Sequence, residues 1–122
     1  MHSHILPKTM PNWTQKFGYG KFIHLEPNAD GSANMMQGGQ FFRRIVENCW
    51  DAQLRIEEYK HFHTQVQVVC TIPVMFSYWA KTSDALELSR FLNDHIADLV
   101  ARYPKNYIGL ATIPMQDPDA AI

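Results

Sequence analysis

The sequence predicts an α/β fold organised around a parallel sheet, on three observations. Two short, nearly continuous apolar runs, VQVVCTI at 66–72 and YIGLATI at 107–113, have the look of strands covered on both faces. Both leave through Thr-Ile-Pro. The long stretch between them repeats apolar residues at helical spacing, and strand, helix, strand makes a βαβ unit whose strands run parallel through a right-handed crossover.

The elements follow in chain order. From Pro7 to Gly39, Pro, Gly and Asn surround lone aromatics (Trp13, Phe17, Tyr19, Phe22), which predicts a long excursion holding one hairpin. FFRRIV at 41–46 reads as a short strand. DAQLRIEEYKHFH at 51–63 reads as an amphipathic helix, with Asp51 as cap and Ala52, Ile56, Tyr59 and His63 on one face. Ser83 is the expected cap of a second helix, in which Ala85, Leu88, Leu92, Ile96, Leu99 and Tyr103 share a face before Pro104 stops it. After the second buried run, Asp117 and Pro118 announce a further helix, of which about one turn follows. The chain therefore reads as a piece of something larger.

Composition removes several classes of function. Eleven Lys and Arg against twelve Asp and Glu leave a net charge of -1 without a basic run, so no nucleic-acid partner is expected. No apolar stretch nears the roughly 20 residues of a membrane span, and no signal-peptide layout opens the chain, which sets a cytoplasmic expectation and no membrane partner. Cys49 and Cys70 fall in different elements without CxxC spacing and are expected to be free thiols.

The chemistry-bearing feature is the opening MHSH. On a strand, residues i and i+2 face the same side, so His2 and His4 can turn two imidazole nitrogens toward one ion. A solvated tail explains the pair equally well from spacing alone. A second pair, His61 and His63, falls on the helix, where i and i+2 lie about 200° apart and cannot share an ion. His24 and His95 have no partner at useful spacing.

Taken together, HSHILPK, FGYG, ENCWD, PVMFSYWAK and IGLATIPMQDP closely resemble the N-terminal third of zinc-dependent decarboxylases of the amidohydrolase superfamily, from Met1 to Ile122. The resemblance implies a (β/α)8 TIM barrel of the metal-dependent hydrolase type, with residues 1–122 forming a partial barrel domain truncated at both ends. It implies one Zn2+ and decarboxylation of an unstable dicarboxylate semialdehyde of tryptophan breakdown by the kynurenine route, which limits quinolinate formation. On this resemblance His2 and His4 match the first two zinc ligands, Arg43 matches an arginine that binds a substrate carboxylate, and Phe42 lines the same pocket. A homodimer is also implied.

The remaining ligands and the catalytic histidine of that family lie beyond residue 122, so no catalytic group is expected within this chain. Relatives carry a short strand before His-x-His, whereas Met1 stands directly before His2 here. The sequence thus predicts two unscaffolded histidines, weak zinc binding and no turnover by the chain alone. A glycine of the relatives stands where this chain has His63, which predicts a positive φ there. Two other readings stay open: a different decarboxylase or hydrolase of the superfamily, and a truncated, non-catalytic product that associates with full-length subunits.

Overall fold

The structure, a computed structural model, describes Met1 to Ile122. Three parallel strands form one sheet in the order β1 (His2–His4), β5 (Gln67–Cys70), β6 (Tyr107–Gly109). Helices α2 (Ala52–Lys60) and α3 (Thr82–Arg102) supply the connections, as the βαβ pattern predicts. Between β1 and α2 lie a short helix α1 (Trp13–Phe17) and an antiparallel meander of β2 (Ile23–Pro27), β3 (Ala33–Gln37) and β4 (Gln40–Ile45). A last turn, α4 (Pro118–Ala121), is capped by Asp117, whose side chain accepts from the Ala120 amide at 3.2 Å.

The excursion holds the one hairpin expected of it, β2 with β3, and FFRRIV forms β4 as its sequence predicts, adding a second hairpin where the excursion ends. IHLEP and ANMMQ are short and mix polar with apolar residues, so neither shows a clear period of its own. The tight link between β3 and β4 is Gly38-Gly39, with φ of 57° and 81°. Positive φ at both positions is what a two-residue hairpin turn demands.

Helix α2 begins where Asp51 predicts, its side chain accepting from the Leu54 amide at 2.9 Å, and ends at Lys60. His63 follows at φ 54°, the positive value expected there. Helix α3 departs from expectation at its start. It opens at Thr82, one residue before the expected cap, and Ser83 instead bonds Asp84. No side chain caps this start; Tyr19 braces it, its hydroxyl accepting from the Lys81 amide at 2.9 Å and donating to Asp84 at 2.7 Å. Burial and the Asp84 carboxylate hold the Tyr19 phenol above its usual pKa.

Helix α3 joins two cores. Ala85, Leu88 and Leu92 pack with Trp13, Phe22, Met35 and Trp50 against the meander, while Ile96 and Leu99 meet Ile5, Val69 and Tyr107 on the parallel sheet. Trp79 packs at the edge of the first core: its ring lies 4.6 Å from that of Phe22, and a Cβ at Gly20 would come within 2.5 Å of it.

The parallel strands are covered on one face only, which corrects the expectation of strands buried on both. Val69 is fully buried and Tyr107 is 1% exposed, yet Val68 and Cys70 are half-buried and Ile108 is 54% exposed. Side chains alternate along a strand. Residues turned toward α2 and α3 are enclosed, and those turned the other way meet solvent.

Candidate metal and carboxylate site

The opening histidines do have a scaffold, which corrects the second expectation. Strand β1 pairs in parallel with β5 in the register His2 with Val68, Ser3 with Val69, and His4 with Cys70. The Val68 amide donates to the Met1 carbonyl at 2.7 Å and the Ile5 amide to the Cys70 carbonyl at 3.0 Å, so the pairing extends past both histidines.

A buried arginine sets which face of β1 the rings occupy. Arg55, on α2 and 6% exposed, donates through Nη2 to Ser3 Oγ at 2.8 Å and to Gln67 Oε1 at 3.0 Å. Its Nη1 donates to the main-chain oxygens of His4 at 2.8 Å and Asn48 at 3.1 Å. Ser3 is thereby tied to the covered face. By alternation His2 and His4 both stand on the open one.

On that face the two imidazoles meet edge to face, with centroids 5.0 Å apart. Cys70 Sγ lies 3.3 Å from His4 Nδ1 and 3.9 Å from His2 Nε2. His4 Nδ1 is also 3.2 Å from the Thr71 carbonyl, a contact in which Nδ1–H donates, so the ring must shift to its other tautomer before Nδ1 can bind an ion. One nitrogen from each histidine and the sulfur all lie within 4.8 Å of one another. Tetrahedral zinc with nitrogen and sulfur ligands separates its donors by about 3.3–3.6 Å, from bond lengths of about 2.0–2.3 Å. The set fits such an ion after a shift of about an ångström. Burial pushes the Cys70 thiol up from its usual pKa, so the metal-free sulfur is protonated near neutral pH.

A cavity of about 270 Å³ brings His4 together with Phe42 and Arg43, among walls that include Met35, Cys49 and Val74. The meander makes this possible through a β-bulge. Met35 pairs with Arg43 but Met36 pairs with Phe41, so Phe42 is an extra residue on β4. Without the bulge, strict alternation would send the neighbours Phe42 and Arg43 to opposite faces.

The two arginines of FFRR separate cleanly. Arg44 pairs with Asp30 and donates to Ser32 Oγ at 2.9 Å. Arg43 makes no ion pair, and its guanidinium sits 5.3 Å from the centre of the Phe42 ring. Only Arg43 has its donors free for a carboxylate.

The other histidines stand apart from this group. His61 and His63 are exposed beyond α2, and His24 lies 3.5 Å from Glu26. His95, on α3, lines a different cavity with Asp94, Asp98 and Arg102.

Sequence reasoning missed two residues of the site. Cys70 became visible only once β1 was known to pair with β5, since their register is what sets it beside His4. Arg55 had a local signal: it falls three residues after Ala52, within the inward face of α2, where a charged residue needs partners.

No family model matches this chain. Two curated proteins, each named 2-amino-3-carboxymuconate-6-semialdehyde decarboxylase, are similar to it over all 122 residues: that of Dictyostelium discoideum at 48% identity and that of Caenorhabditis elegans at 38%. The chain spans about a third of their length, 34% and 30% respectively. A solved structure from Staphylococcus aureus, described as an amidohydrolase, matches 61% of this chain and 25% of its own at a TM-score of 0.50 and 28% identity.

Proposed function

Because this chain is similar from end to end to part of the 2-amino-3-carboxymuconate-6-semialdehyde decarboxylases, we propose that it forms the metal and carboxylate side of such a site. The carrying observation is that His4 and Arg43, on separate sheets and far apart in sequence, line one cavity.

In this reading His2 and His4 hold a zinc ion. Zinc supplies Lewis-acid chemistry in such sites. Arg43 grips a substrate carboxylate through its planar fork, and Phe42 keeps that guanidinium in place. A carboxylate that must leave as carbon dioxide gains nothing from a tight ion pair in the ground state. Arg43 therefore holds the carboxylate that is retained. Met35 and Val74 give the cavity apolar walls beside the exposed Arg43.

The finer reading extends the family resemblance: zinc as the metal, a semialdehyde of kynurenine-route tryptophan breakdown as substrate, limited quinolinate formation, a homodimer and a cytoplasmic setting. Without further barrel strands the 122 residues supply no catalytic acid or base, and the chain alone is expected not to turn over.

A chimera tests this. The 122 residues replace the matching third of the Dictyostelium discoideum relative, and decarboxylation of 2-amino-3-carboxymuconate 6-semialdehyde is followed. Activity whose KM rises strongly with Arg43→Ala supports the reading. A folded chimera inactive on this substrate but active on another carboxylic acid would favour a different decarboxylase of the superfamily.

A further inference from the structure

We infer that Cys70 is a metal ligand in this chain, completing with His2 and His4 a three-donor seat for a borderline-soft divalent cation. The inference rests on the histidine seat proposed above and adds a residue to it.

Three observations carry it. The register of β1 with β5 makes Cys70 the direct neighbour of His4 on the same face. The sulfur lies 3.3 Å and 3.9 Å from nitrogens of the two rings, near the separation at which all three can share one ion. The face is open, so a coordination position stays accessible. On binding, the Sγ–H bond breaks and its proton goes to solvent, the His4 proton moves from Nδ1 to Nε2, and the freed electron pairs are donated to the metal.

Two nitrogens and a thiolate select by chemistry. They suit Zn2+ and Co2+ and disfavour Mg2+ and Mn2+, which prefer oxygen. The sulfur also compensates for what the histidines lack by themselves. Two ligands leave a metal weakly held, whereas three on paired strands form a seat whose geometry the sheet already sets. Cys70 thereby reverses the expectation of weak metal binding by the isolated chain.

Co2+ alone is titrated into the reduced chain and its absorption recorded. The expected spectrum has ligand-field bands in the visible and a sulfur-to-cobalt charge-transfer band in the near ultraviolet. Cys70→Ser should remove the charge-transfer band and weaken Co2+ binding by about tenfold or more, at least what losing an outer partner costs. Cys49→Ser, which alters the other thiol near His4, should keep it. Ligand-field bands without charge transfer in the unaltered chain would overturn Cys70 as a ligand and leave the histidine seat standing. Persistence of the band in Cys70→Ser would do the same. No cobalt spectrum at all would overturn both. The unaltered chain's charge-transfer band decides the matter even if a variant misfolds.

Discussion

Arg55 donates to the main-chain oxygen of His4 at 2.8 Å from a position 6% exposed, with no carboxylate among its hydrogen-bond partners. Its charge is satisfied by neutral acceptors on β1, on β5 and before α2. That network ties a three-residue edge strand to the body of the protein.

Replacing Arg55 should therefore loosen β1. Arg55→Met leaves Ser3 Oγ, Gln67 Oε1 and two carbonyls short of a donor, and should cost about 3 kcal/mol or more. Arg55→Lys retains the charge but not the fork, and should fall between. Chemical denaturation measures the loss. Hydrogen exchange at the Val68 and Ile5 amides should rise in step, and unchanged exchange there would separate Arg55 from the anchoring of β1.

Arg43 should behave in the opposite way. It is exposed and makes no ion pair, so Arg43→Ala should alter stability by no more than about 0.5 kcal/mol. In the chimera it should raise KM for the dicarboxylate much more than it lowers kcat, because a retained carboxylate is bound alike in ground and transition states. A fall in kcat at constant KM would instead assign Arg43 to charge that develops only in the transition state.

Much of this was legible in the sequence, and the limits have physical causes. The βαβ unit, the Asp51 cap and the Pro104 stop are local signals and fell where periodicity placed them. Of the meander, one hairpin and the FFRRIV strand were legible, but the bounds of β2 and β3 and the bulge on β4 were not, because those two strands are five residues long and draw their order from each other and from the Gly38-Gly39 turn. His2 and His4 were legible as a pair but not as a scaffolded one. Three residues cannot announce a strand whose stability comes from β5 and Arg55. Cys70 looked bland because its neighbourhood is made by a parallel pairing about 66 residues away in sequence.

Acid should weaken the fold through His95. Burial lowers its pKa below the usual imidazole value, Arg102 acts in the same direction, and Asp98 opposes them. The unfolded chain then takes up this proton first as pH falls. The contribution is full above about pH 6.5 and is lost progressively below it. Urea midpoints should drop between about pH 7.5 and about pH 5.5, and His95→Gln should flatten that drop.

The open face should also show itself in solution. Ile108 is 54% exposed beside half-buried Val68, and β1 and β6 each leave one edge unpaired. Such edges favour association between chains. Sedimentation of the 122-residue chain should show concentration-dependent association, and Ile108→Lys should reduce it. A strictly monomeric chain would remove the ground for a product that acts by joining other subunits.

The most direct test of the metal seat is elemental analysis of the chain after loading with zinc and exhaustive dialysis. The account predicts zinc in equal proportion to protein, falling to the buffer level when His2→Ala and His4→Ala are combined. Zinc at the buffer level in the unaltered chain, or zinc undiminished in the double variant, would contradict it.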